Sequence, residues 1–143
     1  MIQRIQTIFL LLASGAVLGL FALPLATTNE AKVDSALFAD AAFSVQDGPI
    51  MMGAFALAAL LLLVTIFLFN NRKLQMTLTK VGLFFTGVGV GLGAYYLFND
   101  QAVDTAEPAV GIALPLLAMI FAYLAHFYIN KDEKLVRSVD RLR

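Results

Sequence analysis

Cysteine is absent from the 143 residues, which excludes a disulfide scaffold, thiolate metal sites, a catalytic cysteine and a lipid-modified N-terminal cysteine. Charge is scarce: Asp, Glu, Lys and Arg make up 14% of the chain, against about 25% in soluble domains. Histidine occurs once, at position 126, so one chain cannot form a bis-histidine haem site. What takes their place is apolar. With every glycine left out of the count, 60% of the residues are hydrophobic, where soluble domains reach about 45–50% with glycine included. That excess belongs in lipid, and the length allows one domain.

Four runs contain no Asp, Glu, Lys or Arg: residues 5–26, 50–69, 81–98 and 110–129. At about 1.5 Å per residue they extend roughly 27 to 33 Å, which matches a hydrocarbon core of about 30 Å. Helices are required, because an unpaired backbone group in lipid costs several kcal/mol. The expected fold is therefore an all-α integral membrane protein, with four transmembrane helices in an antiparallel bundle. Between the spans lie outer loops 27–49 and 99–109 and an inner loop 70–80; residues 130–143 form a tail. Leu25-Ala26-Thr27 could pass for a weak signal-peptidase site, but the apolar stretch before it exceeds the usual 7 to 15 residue core, so the first helix is expected to be retained.

Nine of the ten basic residues fall on one side, with three acids; the other side has Lys32 and seven acids. The formal net charge of zero thus divides into +6 and −6. By the positive-inside rule both termini are expected to be cytoplasmic. In the tail, Leu135, Val139 and Leu142 stand at helical spacing among charges, which predicts an amphipathic continuation of the fourth helix. Asp47-Gly48-Pro49 and Glu107-Pro108 read as helix starts, with an acid near the free N–H groups and Pro at the first position. The apolar residues interleaved in the first outer loop predict a short helix on the bilayer or on the bundle top. A docking surface for a partner is the alternative.

Inside lipid, small residues mark where backbones approach. Gly15, Gly19, Ala22 and Ala26 form a stripe on the first span, and Gly111, Ala118, Ala122 and Ala125 form one on the fourth. Pro115 predicts a kink near the outer end of the fourth helix. On the third span Gly87 and Gly91 lie on one face and Gly82, Gly89 and Gly93 on nearly the opposite one. A helix thinned on both faces is expected to be central, with neighbours or a partner chain on each side. The run from Gly87 to Gly91 is no nucleotide loop, since the Rossmann pattern follows a strand and spaces its third glycine differently.

Transport and catalysis need residues this chain lacks in its spans, where His126 is the lone ionisable group. Tyr123, His126 and Tyr128 form a candidate polar site near the inner end of the fourth helix. The expected reading is that His126 hydrogen-bonds a carbonyl or hydroxyl; a proton relay or quinone contact is the alternative. Ser14 has no base beside it, and Asp100 and Asp104 read as the acidic outer side. No enzyme activity, cofactor, metal, nucleic acid or small-molecule substrate is expected. The partners expected are the lipid bilayer and other integral membrane proteins.

The opening Met1 to Thr7, the inner-loop Asn71-Arg72-Lys73-Leu74-Gln75 and the ending Lys131 to Arg143 together resemble a family of small bacterial four-helix membrane proteins, catalogued as domain of unknown function 4293. The resemblance covers the whole chain and supplies no activity or catalytic residue. It implies that a cytoplasmic contact, through Arg4, Arg72, Lys73, Lys131, Lys134, Arg137, Arg141 and Arg143, is a better functional candidate than the outer loops. The first functional expectation is a noncatalytic accessory or scaffolding subunit. The alternatives are a small oligomeric transporter or channel lined by Thr65, Thr86, Tyr95 and His126, and a redox or quinone-linked helper.

Overall fold

The computed structural model describes residues 3–140, and it is mainly helical. Helix α1 spans Gln3–Gly19, α2 Pro49–Phe67, α3 Arg72–Asn99 and α4 Ala113–Asp140. Three helical segments, Pro49–Phe67, Arg72–Asn99 and Val110–Ser138, are long and apolar enough to cross a membrane. The apolar part of the first helix is shorter, Ile5–Gly19. It stops well before Ala26 because Pro24 cannot continue a helix and the chain from Leu20 unwinds through turns. The tail does continue α4, as far as Asp140.

Each helix packs on two others, α1 on α4 and α2, and α3 on α2 and α4. The buried residues explain how. On α1 they are Gln6, Leu10, Ala13, Val17 and Leu20, with Ser14 beside them; on α2, Met51, Phe55, Ala58, Leu62 and Thr65, with Ala54 and Ala59. On α3 they are Gln75, Thr79, Gly82, Thr86, Gly89 and Gly93. Along α4 and the turn before it they are Gly111, Pro115, Ala118, Ala122, Ala125 and Ile129. Each of these main series alternates steps of three and four, the 3.5-residue repeat of left-handed helix packing. Since lipid is as apolar as leucine, the attraction along these seams comes from close contact rather than from escape from water.

The α2–α3 seam shows the fit. A Cβ on Gly82 would lie 3.0 Å from Leu62, one on Gly89 2.7 Å from the Phe55 ring, and one on Gly93 3.2 Å from the Met51 sulfur. Three bulky side chains of α2 thus enter three notches of α3. The opposite glycine face is different: Gly87 and Gly91 have nothing within 4 Å. Packed by the chain on one face only, α3 is a peer of the other helices and not their centre.

The acidic end carries a small sheet that the composition gave no sign of. Strand β1 (Ala26–Thr27) lies between β2 (Ala42–Phe43) and β3 (Glu107–Pro108), antiparallel to both. Ala26 pairs with Phe43 on one side and Pro108 on the other. Glu107-Pro108 is therefore an edge strand and not a helix start, a place where the missing Pro N–H is tolerated. Pro49 does open α2, but the Asp47 carboxylate accepts from Ser44 N and Oγ instead of from that helix.

The first outer loop is turns and strand up to a single 3-10 turn at Val45–Asp47, with no α-helix. Its Ser35 hydroxyl accepts from the backbone N–H groups of Leu37 and Phe38, a local bond that competes with helix formation. The loop covers its own apolar groups, for Leu37, Phe38, Phe43 and Val45 are buried. Its hydroxyl proton goes to Asp100 at 2.7 Å, which ties the two outer loops together. Asp100 is thus a fastening and more than surface charge. Where Pro115 was expected to kink the outer end of the fourth helix, a short 3-10 turn over Val110–Ile112 precedes α4, so Pro115 falls in the first turn of α4, where no N–H is needed.

Candidate functional site

Small residues on α3 leave a crevice between α3 and α4 in the acidic half of the molecule. Gly89, Gly93 and Ala94 form one wall and Pro115, Leu116 and Met119 the other, with Phe55 of α2 at the back. Ala26 and Phe43 of the sheet close one end. Its volume is about 280 Å³, and its lining is almost wholly apolar. The rim residues Val90, Phe98, Ile112 and Leu116 are exposed on the outside of the helices, whereas Phe43 and Phe55 within are each 1% exposed. Apolar concavities of this kind are the usual places for small hydrophobic ligands.

A second feature lies at the basic end. Gln6 and Gln75 are each 1% exposed. Gln75 Nε2 donates to the Thr65 carbonyl at 3.2 Å, which caps the freed end of α2, while the side-chain oxygens of Gln6 and Gln75 have no partner among the described residues. A charge search over the spans misses both, because neither residue is charged. The signal that finds them is the seam itself, since each continues the 3.5-residue series of its helix.

The tyrosine and histidine residues expected to form one polar site are not gathered. Tyr123 is 61% exposed, and Tyr128 stacks on Phe9 of α1 with ring centroids 5.5 Å apart. His126 is half-buried, and its Nδ1 finds no hydrogen-bond partner among the described residues, so the expected bond to a carbonyl or hydroxyl is not made by that atom. The path expected of Thr65, Thr86, Tyr95 and His126 runs through an oligomer, and a single chain carries these residues on three helices. Thr65 and Thr86 donate to Leu61 and Gly82 of their own helices, and Tyr95 is exposed near the far end of α3.

Among the packing residues, Ala118, Ala122 and Ala125 are buried on the α4 seam, and a Cβ on Gly19 would meet Leu114 at 3.1 Å. Gly15 is exposed with nothing within 4 Å, so the α1 stripe drawn through small residues is displaced from the true seam. Gly111 is the tightest position: a Cβ there would run into the Pro24 carbonyl and lie 3.0 Å from the Leu23 oxygen. Of the basic residues, Arg72 pairs with Asp132 at 2.9 Å and Arg137 with Glu133 at 2.9 Å. Lys73, Lys131 and Lys134 are exposed. The Arg4 side chain, Arg141 and Arg143 lie outside the described residues.

No cluster of His, Cys, Asp and Glu able to hold a metal occurs among the described residues. A family model, described as Domain of unknown function (DUF4293), matches residues 2–142. No curated protein and no solved structure matches the chain.

Proposed function

The chain belongs to this family of unknown function, and from that premise we propose that it is a noncatalytic accessory or scaffolding subunit of a larger bacterial inner-membrane assembly. In this reading α1 to α4 form an antiparallel four-helix membrane domain with both termini in the cytoplasm. The basic residues at one end and the acids at the other support that orientation. The observation that carries the function is the second face of α3, where Gly87 and Gly91 lie open. Glycine weakens a helix by roughly 0.5–1 kcal/mol relative to alanine, and none of the described residues comes within 4 Å of where a Cβ would stand on these two.

Gentle detergent extraction of a tagged chain is expected to recover an integral membrane partner in fixed ratio, and Gly91→Leu to lose it while the chain still folds. Recovery of the monomer or a homo-oligomer alone counts against the proposal. The transporter reading draws no support from the dispersed Thr65, Thr86, Tyr95 and His126.

A further inference from the structure

We propose that the crevice between α3 and α4 takes up one hydrocarbon chain of a zwitterionic bilayer phospholipid. Its mouth is framed by Val90, Phe98, Ile112 and Leu116, all exposed on two of the membrane-length helical segments. Whatever enters sideways comes from the bilayer. The lining holds no charged residue, so water and polar ligands lose their hydrogen bonds there without replacement. An engineered apolar cavity of about 150 Å³ accepts benzene with its six carbons; by proportion about 280 Å³ accommodates roughly ten carbons of a chain. That is part of one acyl tail and too little for a whole lipid. The headgroup then lies near the end that carries Asp100, Asp104 and Glu107, where an anionic headgroup is repelled and one bearing an ammonium is not.

The inference rests on the membrane placement of the helices and is independent of any partner subunit. The full-length protein is reconstituted in vesicles of mixed phosphatidylethanolamine and phosphatidylglycerol, with a mid-chain diazirine on one lipid or the other. After illumination, peptide mass spectrometry locates the adducts. Adducts are expected on Phe43 and Phe55, which lie behind the helices and which bulk lipid does not touch, and in higher yield from the ethanolamine lipid. Ala94→Phe, which fills the crevice, should lower these adducts roughly tenfold, the equivalent of about 1.4 kcal/mol of occupancy. Labelling of Leu57 and Leu60, exposed on α2, should not change. Met119→Ala widens the same space and should keep or raise the yield, so a misfolded Ala94→Phe protein cannot decide the outcome alone.

Adducts on Leu57 and Leu60 without any on Phe43 and Phe55 would overturn the proposal. Equal yield from both lipids would overturn the headgroup preference. A covalent chain-to-chain product from a photoactivatable residue at position 119 would place a second copy in the crevice and overturn it as well.

Discussion

Replacing the five glycines of α3 one at a time by alanine tests the packing of this helix, because the same added methyl meets a different neighbour at each site. At Gly89 the new Cβ lies 2.7–2.8 Å from three atoms of the Phe55 ring. That ring is 1% exposed, and to make room it must turn toward the crevice that it lines. Overpacking of this kind costs about 1–3 kcal/mol, against a gain of roughly 0.8–1 kcal/mol in helix propensity. Gly89→Ala is therefore expected to destabilise by up to about 2 kcal/mol. At Gly87 and Gly91 the methyl meets nothing within 4 Å, and the propensity gain stands alone. Gly82 and Gly93 fall between, Gly93 nearer the neutral end because the Met51 sulfur is the flexible neighbour. The expected order of stability is Gly91→Ala and Gly87→Ala highest, then Gly93→Ala, Gly82→Ala and Gly89→Ala. Equilibrium unfolding by titrating dodecyl sulfate into the protein in a mild detergent measures it. Phe55→Leu in the same chain should recover part of the Gly89→Ala loss, a coupling of about 1 kcal/mol between contacting residues. A flat series, or Gly89→Ala as stable as Gly91→Ala, would refute the notched seam.

Gly111→Ala should cost about 3 kcal/mol or more, since all three atoms it meets, the Pro24 carbonyl carbon and oxygen and the Leu23 oxygen, are backbone; protease cleavage of the outer loops should rise with it. Ser35→Ala leaves the N–H groups of Leu37 and Phe38 without their acceptor and takes one donor from Asp100. About 1–3 kcal/mol of stability should go, with limited proteolysis appearing between residues 28 and 41, and an unchanged digestion pattern would argue that the loop is held by its apolar contacts alone. Gln75→Leu removes a buried oxygen that has no partner among the described residues, and the Thr65 carbonyl keeps the Leu68 N–H. Stability in the same detergent titration should stay within about 1 kcal/mol or rise; a larger loss would mean that the amide meets more than its bond to Thr65.

The number of apolar runs, the α4 stripe and the helical tail were legible in the sequence because each has a physical marker that survives in an apolar chain: missing charge, small side chains or amphipathic spacing. On α4 the small residues happen to be the seam, so reading one gives the other. On α1 they are not. Its seam joins Gln6 and Ala13 to Leu10, Val17 and Leu20, the last three chemically the same as the exposed Ile8, Leu11 and Leu18, and Gly15 points away from it. The sheet was hidden because its strands are two residues long and fixed by bonds such as Leu25 N to Phe43 O and Ala109 N to Leu25 O, contacts between distant segments. The crevice was hidden for a related reason. Gly89, Gly93 and Pro115 were each visible as packing residues, but the space left between them depends on how α3 and α4 face one another.

The distribution of open glycines bears on where a partner subunit would sit. Gly15 on α1, Gly53 on α2, and Gly87 and Gly91 on α3 all have nothing within 4 Å, and each costs its helix something that its own fold does not repay. The α4 region has one glycine, Gly111, and its own fold needs it to let Pro24 approach. Close helix approach from outside is therefore expected on α1, α2 and α3, while α4 supplies one wall of the crevice and the charged extension bonded to α3 through Arg72 and Asp132. Glycine faces suit a protein helix, which gains by bringing backbones near. A crevice rimmed by Val90, Phe98, Ile112 and Leu116 holds bulky side chains that keep a second helix at a distance and still admit a flexible chain. The two surfaces thus select different occupants. Gly91→Leu should release the protein partner without changing lipid labelling of Phe55, and Ala94→Phe should do the reverse; loss of both by either substitution would show that one surface serves both.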